Sequence, residues 1–352
     1  MQNLKFSLKM KLRLAPNVHL LQRSKSEIQI GLSPINCVRL PSQFRTVIAK
    51  CDGSTSVDQL LNAAKSIGFD HISALNTLKL LFDRQLLIAE IAELKSLTKN
   101  QESHLRDAHR STYVSQTSVA NRTKTHITIS GAGRLGMTIG LLLGNSGFSN
   151  LRILDDSPVL ASDLIPWGAS RVDVGQRREQ VAQMILERIH PGQLKSVRQK
   201  ETREKPNLII YAPDPIADFP WIDPQLADGA VARDISFLVA ATSPTQSLVS
   251  AIQVPGVNAC LRCFHLNQAD RDLAWPQLIS QLIGVKAPDI TPTDLILRTA
   301  FFTFNKVCEW VDLKPEVESI WYSITDKTEQ KLTVLPHVQC GCQWNLAKNQ
   351  VS

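Results

Sequence analysis

Thr125–Gly147 reads THITISGAGRLGMTIGLLLGNSG, and this stretch decides the fold. THITIS has the look of a short strand. GAGRLG places Gly131, Gly133 and Gly136 in a G-x-G-x-x-G turn, and the apolar run that follows is a helix ended by glycine. In such a turn the first glycine permits a tight bend. The second lets backbone approach a phosphate, and the third lets helix and strand pack closely. A nucleotide-binding fold is therefore expected. The alternative is that the glycines serve the turn alone.

The pattern continues downstream. LRIL is a second strand, and Asp155 follows it at the place where an acid accepts a hydrogen bond from a ribose hydroxyl. Arg177–Ile189 has helical character, and NLIIYA, ending at Ala212, is a further strand. Strands and helices alternating at this spacing predict a parallel sheet with Rossmann-type winding, an α/β class domain over residues 125–352.

Upstream, residues 93–124 are rich in Ser, Thr, Asn, Gln, Lys and Arg and poor in large apolar side chains. They read as a polar linker with helical character around Glu102–Arg110. Residues 1–92 form a separate unit. Lys11–Leu14, His19–Gln22, Glu27–Gly31 and Cys37–Leu40 have strand character, with turns at Pro16-Asn17 and Ser33-Pro34. Helices are predicted at Gln43–Lys50, from a Ser54-Thr55 cap to Gly68, and from Ile72 to Arg84. A small sheet with three short helices is a winged-helix-like α+β module. Glu27–Gly31 is expected to be an edge strand open to an extended peptide.

Two cysteine pairs stand out. Cys260 and Cys263 form C-x-x-C, and Cys340 and Cys342 form C-x-C around Gly341. Each turn aims two thiolates at one point, and two such pairs make a tetrathiolate cage for a structural Zn²⁺. Four buried thiols or a redox pair are the alternatives. His337 stands close enough to be a fifth ligand or, with four thiolates present, an outer partner of the cage. Cys37, Cys51 and Cys308 are isolated and read as small core residues.

The chain has 352 residues, is 43% hydrophobic and carries a net charge of +7. Nothing approaches a continuous apolar membrane span, and the basic N-terminus lacks the apolar run of a signal peptide. Metal-binding cysteines then suit a reducing cytoplasm. The Ile72–Arg84 helix is too mixed in charge for a major-groove reader, so nucleic acid is not the expected partner. Asp270-Arg271-Asp272 reads as a solvated ion-pair cluster or a docking loop. His190 reads as a helix-end residue.

GAGRLG, ILDD, DLIPWGASRVDVGQRR with ERIHP, NACLRCFHLNQADRDLAWPQLISQL and CGC together resemble the ThiF/MoeB superfamily of ubiquitin-activating-type adenylating enzymes. The resemblance covers residues 125–342. It is closest to the ThiF-like leader-peptide-binding proteins of azole-peptide biosynthesis, the cyclodehydratase C-components. That resemblance implies a role in binding a precursor leader peptide for a YcaO-type partner, with a homodimer as one arrangement. It implies ATP and Mg²⁺ as ligands, with Gly131, Gly133 and Gly136 at the nucleotide, Asp155 at the ribose, Arg178 at a phosphate and Asp214 at Mg²⁺. It also implies a second activity, adenylation of a carboxylate on a small protein. This chain departs from the adenylating pattern in two places. Arg134 replaces a glycine of the loop, and DLIPWGASR replaces an Asn-x-x-Arg-Gln stretch that supplies phosphate-binding charge. No cysteine of the crossover region is placed to form a thioester.

Overall fold

The computed structural model describes residues 6–15, 18–89, 121–189, 205–325 and 327–342. The chain divides into two compact units, residues 1–102 and 103–352.

In the first unit, β1 (Lys11–Leu14) lies between β5 (Asp52–Ser56) and β6 (Leu87–Ala89) in an antiparallel sheet. A second antiparallel sheet has the order β2 (Leu20–Gln22), β3 (Glu27–Ile30), β4 (Val38–Pro41). Among the described residues, α1 (Arg45–Ile48), α2 (Val57–Ser66) and α3 (His71–Asp83) accompany them. Ile28, Ile30, Phe44, Leu60, Leu78 and Leu81 meet in one core.

Two expectations are corrected here. Ser56, not Ser54-Thr55, caps α2, because Asp52–Ser56 is a strand that ends at the cap. The Gln59 amide donates to Ser56 Oγ at 3.3 Å, and the Ser56 amide donates to Gln59 Oε1 at 3.0 Å, a reciprocal pair that closes the helix start. The other correction concerns Glu27–Gly31, which is not an edge. As the middle strand of a meander, β3 is paired on both sides.

Among the described residues, β2 and β4 are the edges of this sheet. The Arg23 and Gly31 amides bond Glu27 and His19 carbonyls on one side of β3, and the Ser42 amide bonds the Ser26 carbonyl on the other. Antiparallel pairs alternate between bonded and non-bonded positions. Arg39 in β4, and Leu20 and Gln22 in β2, therefore turn their backbone groups outward. Pro41, which has no N–H to offer, occupies another outward position, where proline costs nothing in the ladder.

The second unit is built on seven strands in the order β13-β12-β11-β10-β9-β7-β8. These are β7 (His126–Ser130), β8 (Asn150–Leu154), β9 (Leu208–Tyr211), β10 (Ser236–Thr242), β11 (Gln246–Val249), β12 (Ile320–Thr325) and β13 (Glu329–Thr333). The first four pair in parallel, and the last three continue the sheet antiparallel. This is the parallel core that the glycine turn predicts, extended at one side.

Side-chain alternation makes the sheet two-sided. Leu208, Ile210, Leu238 and Ala240 enter one core, while Ile209, Tyr211, Phe237 and Val239 enter the other. Both faces of a parallel sheet must be covered, so the strands read as unbroken apolar runs. The first core also holds residues of α4 (Arg134–Asn145), α5 (Arg178–Ile189) and α9 (Thr293–Leu313). The second holds residues of α6 (Asp228–Ala232) and α7 (Leu261–Arg271), and α8 (Trp275–Ser280) follows α7.

Of the polar stretch 93–124, the structure describes Asn121–Lys124, which are helical. Buried Arg122 pairs with Asp312 near the end of α9 and donates through Nη1 to the Ser146 carbonyl at 3.0 Å. The helix expected around Glu102–Arg110 lies outside the described residues. Among the described residues, no helix is long and apolar enough to cross a membrane.

Candidate functional site

The chain leaves β7 for β8 on one side and reaches β9 on the other, so the end of β7 is a topological switch point. Open α/β sheets bind ligands in the crevice at such a point. Gly131 follows β7, Asp155 follows β8 and Asp214 lies just beyond β9.

The three loop glycines have different reasons to be glycine. Gly131 has φ +106°, and a Cβ there would lie 2.1 Å from the Ala212 carbonyl oxygen. A Cβ on Gly136 would lie 1.9 Å from the Gly131 carbonyl oxygen. Both are demanded by backbone packing, whatever the crevice holds. Gly133 differs: its Cβ would meet Asp214 Oδ1 at 2.6 Å and Arg178 Nη1 at 3.9 Å. Here the absent side chain leaves room for the polar groups of the crevice.

Arg178 organises those groups. Its Nε and Nη2 donate to the two oxygens of Asp163, both at 2.8 Å. Its Nη1 donates to Asp155 Oδ2 at 3.2 Å and to Asp214 Oδ2 at 2.6 Å. Asp155 Oδ2 also accepts from the Ala132 amide at 2.8 Å, so this loop N–H is already engaged. Arg178 thus makes a two-pronged grip on Asp163. Burial raises the Asp214 carboxyl above the usual range, opposed by the nearby Arg178 charge and its hydrogen bond. One guanidinium thus faces three carboxylates.

Sequence reasoning passed over Asp163. It lies in DLIPWG, a segment read for its family resemblance and for the arginine it lacks, not for its acid. An Asp in an otherwise apolar stretch was the available signal, since a buried acid needs a partner.

Arg134, the other departure in the loop, is also buried. Its Nε donates to Asp289 Oδ2 at 2.8 Å, and its Nη2 donates to the Thr291 carbonyl at 2.7 Å. A cation at the first position of a helix opposes the helix dipole, and the Asp289 carboxylate offsets this. The bond also ties the glycine loop to the segment entering α9.

The four cysteines converge. Cys260 and Cys340 sulfurs are 3.4 Å apart, Cys263 and Cys342 sulfurs 3.3 Å, and Cys260 and Cys263 sulfurs 3.9 Å. All four lie within 4.8 Å of one another. Tetrahedral Zn–S bonds of about 2.3 Å place sulfurs about 3.8 Å apart, so the donor set fits Zn²⁺. Cys260 caps α7 and Cys263 lies in its first turn. The other two arrive from beyond β13, at a bend where Gly341 has φ +68°. The His337 amide donates to Cys263 Sγ at 3.3 Å, and its ring turns away to Asp270, so it is an outer partner and not a fifth ligand. A cavity of about 100 Å³ opens beside the cluster, lined by Asp228, Arg262, Cys340 and Gly341 among others.

The remaining candidates sort simply. Burial pushes the Cys308 and Cys51 thiols up to about 12, which makes them inert core groups. Cys37 is half-buried. Among the described residues, Asp270, Arg271 and Asp272 each take a separate partner. Asp270 meets His337, Arg271 meets Gln268, and Asp272 caps the Ala274 amide. His190 lies outside the described residues.

A doubly wound α/β unit, a glycine loop at the switch point and a four-cysteine cluster define a class of nucleotide-fold proteins. A model of the ThiF family matches residues 109–287, half of the chain, and this chain belongs to that family. Among solved structures it is similar to Escherichia coli MccB with AMPCPP and selenomethionine MccA. That match has a TM-score of 0.65 at 14% identity, over 96% of this chain and 100% of that one. It is similar too to the microcin C7 biosynthetic enzyme MccB in complex with N-formylated MccA, with TM-score 0.63 and 13% identity over 94% and 99% of the two chains. A heterocyclase in complex with substrate and cofactor matches at TM-score 0.53 and 11% identity. It covers 96% of this chain but 40% of that one. These identities make the likeness one of fold. No curated protein matches the chain.

Proposed function

We propose that this protein is a ThiF-like adaptor that binds a precursor leader peptide and delivers it to a YcaO-type cyclodehydratase in modified-peptide biosynthesis. One observation carries this reading over catalysis: both arginines beside the glycine loop are closed on carboxylates. Arg178 holds Asp155, Asp163 and Asp214, and Arg134 holds Asp289. Transfer chemistry at phosphate needs preorganised cationic groups facing the charge that develops. The likeness to MccB bound to MccA, and to a heterocyclase bound to substrate, supports a peptide as the ligand.

In this reading residues 1–92 are a winged-helix-like recognition module, 93–124 a tether and 125–352 the ThiF-like scaffold. The peptide adds as a strand to the outer edge of β2 or β4, where main-chain groups supply affinity and neighbouring side chains supply selection. Cys260, Cys263, Cys340 and Cys342 would hold a structural Zn²⁺, which supplies a cross-link and no catalytic chemistry. Binding should be modest, near micromolar, because a small surface must order a flexible chain.

The second reading is ATP-dependent adenylation of a carboxylate on a small protein. The glycine loop at the switch point favours it, and the MccB structures include one with ATP. Gly131, Gly133, Gly136, Asp155, Arg178 and Asp214 would line that nucleotide site, with Mg²⁺ at Asp214. Arg178 would first have to release a carboxylate to a phosphate.

One experiment separates the two. The full-length protein is incubated with ATP, Mg²⁺ and labelled precursor peptides encoded near its gene. Anisotropy reports peptide binding, and pyrophosphate exchange reports adenylation. Binding without exchange is expected. Peptide-dependent exchange would overturn the adaptor reading in favour of the enzyme.

A further inference from the structure

His337 sits where three contacts meet. Its backbone amide donates to Cys263 Sγ at 3.3 Å. Its Nδ1 accepts from the Gln339 amide at 3.1 Å. Because Nδ1 is an acceptor, the ring proton is on Nε2, which donates to Asp270 Oδ2 at 2.9 Å. Asp270 belongs to α7, the helix that carries Cys263. Gln339 immediately precedes Cys340. The ring therefore bridges the elements that present the two halves of the cysteine cage. Asn267 runs alongside, donating to both the Cys263 and Leu335 carbonyls.

The cage is not equally closed on all sides. Cys263 is fully buried, whereas Cys340 is half-buried and lines the cavity beside Arg262 and Gly341. A metal ion leaves most easily where its least covered ligand can swing away. That ligand is Cys340, whose bend the His337 ring holds through Gln339.

We propose that His337, seated on Asp270, is a positioning residue that clamps the Cys340–Cys342 bend and so controls how fast the cage exchanges its metal. The inference rests on the metal reading of the four cysteines. Groups that orient metal ligands typically change affinity about 10- to 100-fold when removed. The contact to the Gln339 amide, which holds the residue next to Cys340 directly, should matter more than the bond to Asp270, whose carboxylate is 69% exposed.

The test uses full-length protein loaded with Zn²⁺ and follows metal transfer to an excess of a chromogenic chelator. Wild type, His337→Ala, His337→Asn and Asp270→Ala are compared, with zinc content measured beforehand. About one zinc per chain is expected in each. Release should be about 10- to 100-fold faster in His337→Ala. His337→Asn should restore most of the wild-type rate, since a short carboxamide oxygen can accept from an amide two residues on. Asp270→Ala should change the rate least. Wild-type release rates in zinc-loaded His337→Ala would overturn the clamp while leaving the metal site intact. If His337→Ala fails to fold, equal rates in His337→Asn and Asp270→Ala, both well above wild type, would overturn the assigned ranking. A wild-type protein without zinc would overturn the metal reading and the clamp with it.

Discussion

Arg178 and Asp163 are joined by two parallel hydrogen bonds of 2.8 Å, with both side chains about 3% exposed. The pair forms because Asp163, in the loop after β8, comes down on the first turn of α5. Removing Asp163 takes two charge-assisted hydrogen bonds from Arg178, which keeps Asp155 and Asp214 as partners. Asp163→Ala should therefore lower unfolding free energy by roughly 1.5–3 kcal/mol. Arg178→Lys should recover only part of the loss of an Arg178→Ala variant, because an ammonium cannot make the paired bonds. Urea unfolding of the full-length protein measures both, and a cost below about 1 kcal/mol for Asp163→Ala would show the pair to be incidental.

Asp214 supplies a pH test. Burial raises its folded pKa, so the folded state holds its proton more tightly than the unfolded state. The stability this contributes is complete below the unfolded value, near 3.9, and is lost as pH rises through the folded value. At neutral pH the ionised carboxylate is thus a burden. Asp214→Asn keeps an oxygen for Arg178 and should stabilise the protein at pH 7, with the gain vanishing below about pH 4. Melting temperatures across this range would settle it, and a variant less stable than wild type at pH 7 would refute the sign.

The cysteines should separate by reactivity. In native zinc-loaded protein a thiol reagent should reach Cys37 first, while Cys51 and Cys308, with thiols pushed up to about 12 by burial, react only on unfolding. Cys263→Ser should lose metal and solubility together, because the cage joins segments that fold around it. Cys308→Ser should keep its metal. Metal analysis and timed thiol counts check these outcomes, and full zinc loading in a chain lacking both Cys260 and Cys340 would exclude the cage.

The sheet edges make the peptide hypothesis specific. Proline at Arg39 removes an outward N–H of β4 without touching its pairing to β3, and proline at Gln22 does the same for β2. One of the two should weaken peptide binding by about 5- to 10-fold, the worth of one hydrogen bond of about 1 kcal/mol, and leave the melting temperature within a few degrees. Proline at Gln29, in the paired middle strand, should instead unfold the module. Equal peptide affinity in both edge variants would exclude strand addition here.

Some of this was legible in one dimension. The strands at Lys11–Leu14, Glu27–Ile30 and Val38–Pro41 appear within a residue of where alternation and turn residues put them, because both signals are local. The glycine turn announced a parallel sheet because strand, tight bend and helix follow one another without a gap. The cysteine pairs announced a cage because each pair is set by a short turn.

What escaped was the pairing of strands and charges across distance. That β3 is central follows from the chain adding a strand on each side of it, which no property of Glu27–Ile30 records. Asp163 meets Arg178 only when the loop after β8 folds onto the start of α5, and Arg134 meets Asp289 only when the segment before α9 packs against the glycine loop. The sequence alone determined the class of fold, the turn at its switch point and the four thiols, since local backbone geometry and short spacing specify these. The tertiary structure alone decided which charges face the crevice. A guanidinium buried out of water takes the nearest carboxylate, and nearness there is set by the packed sheet.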